Sequence, residues 1–88
     1  MKKLVSIVEV EGEGMSKLLG ENVVVFCMNY IYAGKLAGVN KEDILLENAQ
    51  VVYETGGLCD KAFKDAQALP SQWYIKTSSI ESYGISGK

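Results

Sequence analysis

Histidine and arginine are both absent from this chain of 88 residues. Histidine is the side chain best suited to general acid–base work near neutral pH, so its absence excludes a Ser-His-Asp or Cys-His catalytic arrangement. The absence of arginine removes the planar fork that grips phosphate or guanine with two hydrogen bonds. All side-chain positive charge comes from lysine, and the net charge is −2. That balance weakens any broad electrostatic attraction to nucleic acid without excluding a local site. There are two cysteines, Cys27 and Cys59, and no partners at zinc spacing. Cys27 lies inside an apolar run, where a buried free thiol is the expected state, and a Cys27–Cys59 disulfide is not expected. No metal or other cofactor is expected either. No stretch reaches the roughly 20 apolar residues of a membrane span. The basic start Met1-Lys2-Lys3 precedes Leu4 to Val10, which Ser6 and Glu9 interrupt, unlike a signal peptide. A cytoplasmic location with no membrane partner is the expectation.

Catalysis has little else to draw on. Asp43, Glu47, Glu54, Asp60 and Asp65 show no spacing that pairs carboxylates for acid–base chemistry. Gly56-Gly57 lacks the Lys-Ser/Thr that follows a phosphate-binding glycine loop. The chain is not expected to be an enzyme.

Present instead is a succession of short β-prone runs. Leu4 to Gly12 ends in alternation, Val8 and Val10 against Glu9 and Glu11, which reads as a half-buried strand. A short helix is expected across residues 13–20, with Met15, Leu18 and Leu19 at helical spacing and Gly20 ending it. Val23 to Tyr32 is rich in β-branched and aromatic residues and reads as one long strand. Residues 34–39 continue as a second strand whose glycines, Gly34 and Gly38, mark a bend. Asn40-Lys41-Glu42-Asp43 is a polar turn, and Ile44 to Tyr53 is a third strand. Across residues 55–70, Leu58, Ala62, Ala66 and Leu69 share a helical face before Pro70, so a short helical insertion is expected. Gln72 to Lys76 and Ile80 to Ile85, joined by Thr77-Ser78-Ser79, complete a set of five strands after the helix. A chain this short buries only about 60–65% of its unfolded surface, and five such strands leave one face bare unless they curl. The expected fold is therefore all-β, a single domain with a small, strongly bent five-stranded antiparallel barrel.

This order of elements resembles the Sm/LSm (Hfq-related) family, whose fold is an N-terminal helix followed by a bent five-stranded sheet. The resemblance spans about Gly14 to Ile85. Its first signature is similar to Val23-Val24-Val25, Gly34, Leu36, the step at Val39-Asn40, then Leu45, Leu46 and Ala49. Its second is similar to Ile75-Lys76-Thr77-Ser78-Ser79-Ile80, with Lys for the usual Arg and Thr for the usual Gly. The family's loop Asp is replaced by Asn40, the position of its base-contacting Asn falls at Asp43 or Ile44, and its stacking ring is missing. The insertion at residues 55–70 is longer than the family's minimal loop, and the Leu4 to Val10 strand has no counterpart.

The resemblance implies a cyclic homo-oligomer of about five to seven subunits, in which strand four of one subunit pairs with strand five of the next. The implied interface is Trp73, Tyr74, Ile75, Ile80, Tyr83 and Ile85. It also implies single-stranded RNA as a partner at pore-side loops, through Asn40, Lys41, Asp43, Lys76, Thr77 and Ser78. A different reading is a protein-interaction or assembly module, such as a phage accessory or structural protein, that binds no nucleic acid.

Overall fold

The computed structural model describes residues 14–58 and 60–86. The expected Leu4–Val10 strand and Cys59 lie outside the described residues. A single 3-10 turn, Met15–Leu18, stands where the N-terminal helix is expected. Six strands follow: β1 Asn22–Cys27, β2 Ile31–Val39, β3 Asp43–Glu54, β4 Asp65–Ala68, β5 Trp73–Lys76 and β6 Ile80–Ile85. Every neighbouring pair is antiparallel. The order across the sheet is β4-β3-β2-β1-β6, and β5 shares the outer edge of β3 with β4. The antiparallel β architecture read from the sequence holds, as do the third strand and the last two.

The sheet is strongly bent and unclosed. Laid flat, β5 and β6 stand four strand spacings apart, about 19 Å. Only the 3-10 turn Thr77–Ser79 joins them, and three residues reach about 10 Å. The sheet must curl to bring its two ends within reach of that turn, and the Met28 N–H just after β1 donates to Ser79 O of the turn at 3.1 Å. No pairing of β6 with β5 closes the ring of strands among the described residues.

The bend is built into β2 and β3. In β3 the buried side chains on the inner face are first Ile44 and Leu46, then Ala49 and Val51. The even positions point inward before Asn48 and the odd positions after it. The register explains the change: Ala33 faces Gln50 and Lys35 faces Glu47, so β3 carries one residue more than β2 in that interval. Asn48 takes the left-handed conformation at φ 51, which asparagine tolerates better than most residues. Opposite it, Gly34 lies so close to β3 that an added Cβ would stand 2.9 Å from Glu47 O and 3.0 Å from the Ala49 Cα. A second irregularity sets Leu36 against Leu46 and Gly38 against Leu45, leaving Ala37 as the extra residue on β2. The inner core is Val23, Val25, Leu36, Ile44, Leu46, Ala49 and Ile75, with Met15 and Leu18 packed against it.

Four expectations are corrected. The run Val23 to Tyr32 is not one strand. It breaks at Met28-Asn29, with the Cys27 N–H donating to Tyr30 O, because a hairpin there gives β1 the partner that a continuous strand would lack. The insertion is not helical. Gly56 at φ 70 and the Gly57 N–H donating to Asp60 Oδ2 form a turn, and Asp65–Ala68 then pairs with Gln50–Glu54 of β3. A helix of that length is marginal alone, whereas β3 offers a row of unpaired backbone groups to a strand. After the 3-10 turn, the described residues form six strands rather than five, because that insertion supplies β4. Finally, Ile75 is a core residue and presents no side chain to an interface.

The same geometry explains how β1 buries both faces. Val23 and Val25 enter the inner core. Val24 pairs with Ala33, and Phe26 pairs with Ile31, which in turn faces Val52; Ala33 and Val52 are buried on the outer face. Phe63 of the insertion lies over this outer layer, lining one cavity with Val24 and Phe26 and another with Ala33 and Gln50. The outer layer is therefore covered by the insertion and not by the Met15–Leu18 turn.

Replacing Gly34 with Ala is expected to destabilise the fold by about 1–3 kcal/mol in urea unfolding, since its neighbours are backbone atoms of a paired strand. Gly38→Ala, whose Cβ would meet Leu45 Cβ at an ordinary 3.5 Å, is expected to stay within about 1 kcal/mol of wild type.

Candidate functional site

The polar residues singled out in the sequence converge at one end of the sheet. Asp43 at the start of β3 pairs with Lys76 at the end of β5. This register brings the Asn40–Asp43 turn against the Thr77–Ser79 turn. The Thr77 N–H donates to Glu42 O at 3.0 Å, and Thr77 Oγ1 donates to Lys41 O at 3.3 Å. Within the first turn, the Asn40 N–H donates to Asp43 O at 2.9 Å and Asn40 Nδ2 donates to Asp43 Oδ1 at 3.0 Å. Ser79 Oγ donates to Lys76 O at 2.9 Å. Asn40, Lys41, Asp43, Lys76, Thr77 and Ser78 thus form one patch joined by backbone bonds across the two turns.

The patch is balanced in charge. Lys41 and Lys76 are exposed, and so is Glu42, with Asp43 half-buried beside them. The side-chain amide of Asn40 is engaged by Asp43, so it meets a ligand only by exchanging that bond. The lysine ammonium groups and the exposed Ser78 are the available donors. No aromatic ring lies in either turn.

The six apolar residues singled out at β5 and β6 divide by position. Trp73, Ile75 and Ile80 pack against or within the core. Tyr74 points to the outer face and is 60% exposed. Tyr83 and Ile85 pair with Val25 and Val23 and so lie on the core side of β6, yet they are 40% and 64% exposed. Their exposure follows from β6 being an edge strand among the described residues, none of which flanks it on the far side.

Two further features escaped the sequence reading. Tyr30, Tyr32, Val51, Tyr53, Leu69 and Trp73 line a shallow aromatic groove of about 220 Å³. The Tyr30 and Tyr32 rings stand 6.3 Å apart at 56°, and Tyr53 OH donates to Gln67 Oε1 at 3.2 Å. The alternation of Tyr30 and Tyr32 was visible in the sequence, but their meeting with Tyr53 and Trp73 depends on the β2–β3–β5 register. The second feature is an apolar groove of about 210 Å³ on the outer face, bounded by Val24, Phe26, Leu58, Phe63 and the Ser82–Ser86 segment of β6.

Burial raises the Cys27 thiol above its ordinary range, with a hydrogen bond to Ser79 opposing it and Glu81 adding to it. Burial likewise raises the Tyr32 hydroxyl, helped by Cys27 and Tyr30. A thiol held in the protonated form is a poor nucleophile, which argues against a reactive role for Cys27. No group of three His, Cys, Asp or Glu side chains at metal-binding distance occurs among the described residues. Nor is any helix among them long and apolar enough to cross a membrane. No family model and no curated protein matches the chain.

The raised groups predict an alkaline loss of stability. The folded chain holds these protons more tightly than the unfolded chain, so the stabilisation is complete below the ordinary thiol and phenol range. It is lost as pH rises through the folded values. Urea unfolding of the wild type should weaken across that window. Cys27→Ala with Tyr32→Phe should flatten the decline, and an equally steep decline in the double variant would refute the assignment.

Proposed function

We propose that the chain is the subunit of a homo-oligomeric, Sm-like ring in which β5 of one copy pairs with β6 of the next. The observation that carries this reading is that, among the described residues, the curled sheet ends in two unpaired edges. Such edges are head-to-tail complementary, and a head-to-tail contact repeated by a closing rotation makes a ring. Left bare, each edge offers free N–H and C=O groups to any other strand. Tyr83 and Ile85 add a second reason: these apolar side chains on the core side of β6, uncovered among the described residues, would be covered by a strand that continues the sheet. The resemblance read from Val23-Val24-Val25 through Ile80 agrees in strand order, with β4 as an addition.

Within such a ring, the Asn40–Asp43 and Lys76–Ser79 turns of successive subunits would repeat around the axis. Lys41, Lys76 and Ser78 are then the donors offered to the phosphates and sugars of a single-stranded RNA. The engaged amide of Asn40 and the carboxylates Glu42 and Asp43 favour a second reading, a ring that serves as an assembly module without RNA.

Native mass measurement of the purified chain, with and without nuclease, tests both parts. A single closed oligomer is expected, and a monomer at micromolar concentration would overturn the ring. A short U-rich or A-rich RNA should bind at low salt and weaken steeply as salt rises. Lys76→Ala should reduce that affinity by about two- to tenfold at low salt, since each subunit loses one phosphate partner. An intact ring with no RNA affinity at low salt would select the assembly module.

A further inference from the structure

We infer that the outer-face groove bounded by Val24, Phe26, Leu58 and Phe63 receives the Tyr74 side chain of a neighbouring copy. The inference rests on the ring reading and adds to it a contact made by the insertion. Three observations point to it. First, the groove opens at the edge of β6, unpaired among the described residues, where the outward row is Ser82 and Gly84, paired with Phe26 and Val24. A Cβ built at Gly84 meets nothing within 4 Å, so this row leaves space above the sheet. Second, Tyr74 is the large exposed side chain on the other free edge. It pairs with Leu45 on the outer face, between the inward-facing Trp73 and Ile75. When β5 of one copy adds to β6 of the next, outer face continues into outer face, and Tyr74 comes beside the small residues that leave the groove open.

Third, the strand contact alone is small. β5 has four residues, a length of about 13 Å. Stable protein interfaces bury about 800 Å² on each partner, far more than one short strand pair supplies. Leu58, itself 65% exposed, and Phe63 are apolar residues beside this edge whose exposed surface an aromatic ring would cover. An aromatic anchor in an apolar pocket is the kind of contact that dominates interface energies. Both walls of the groove that stand above the sheet come from the insertion, so the insertion acts as the receiving half of the subunit contact.

Sedimentation equilibrium of the full chain tests this. Tyr74→Ala and Leu58→Ala should each raise the subunit dissociation constant about tenfold or more. The double variant should lose less than the product of the two, because both changes remove one shared contact. Gly84→Leu, which fills the groove from its own strand, should keep the strand-rich circular dichroism spectrum and weaken assembly as well. A monomeric wild type would overturn the ring and this contact together. A wild-type ring whose dissociation constant is unchanged by Tyr74→Ala, or in which the two losses multiply fully, would overturn the contact alone.

Discussion

The structure depends on one change of phase in the middle of β3. A strand of twelve residues with strict alternation would present one face to one core along its whole length. The extra residue at Asn48, opposite the close approach of Gly34, breaks that alternation and lets the strand turn. Before it, Ile44 and Leu46 close the inner core against β5; after it, Ala49 and Val51 continue the same lining past the bend. The curl that follows is what lets a three-residue turn join strands at opposite ends of the sheet. The nearness of the two sheet ends is downstream of that curl.

Curling without closing has a cost and a use. The inner core is drawn from few side chains, and a second apolar layer forms on the outer face under Phe63. The sheet still ends in two edges, β6 on one side and the collinear β4 and β5 on the other. Among the described residues nothing pairs with those edges, and Tyr83 and Ile85 are exposed on the core side of β6. In the proposed ring, repetition of the subunit would answer both at once, which is why the functional reading turns on assembly.

Much of the strand pattern was legible because β-branched and aromatic runs mark it. Ile80–Ile85 and the core of β3 were readable from composition alone. Misreadings came where a local pattern had two physical solutions. Leu58, Ala62, Ala66 and Leu69 fit one face of a helix, but the unpaired half of β3 captured Asp65–Ala68 as a strand. Val23 to Tyr32 had uniform strand preference, and only the need of β1 for a partner placed the turn at Met28-Asn29. The candidate polar patch was legible as two separate turns. That they touch, through Thr77 and the carbonyls of Lys41 and Glu42, follows from the Asp43–Lys76 register.

The sequence by itself determined which chemistry is available, which runs prefer extended backbone and where glycine permits close approach. The tertiary structure decided which face each residue occupies. A shift of one residue in a strand reverses every side chain beyond it, and that shift is set by contacts between distant segments. Tyr74 on the outer face, Ile75 in the core, and the grooves beside β6 and between Tyr30 and Trp73 are all consequences of register. No local pattern in the chain encodes them.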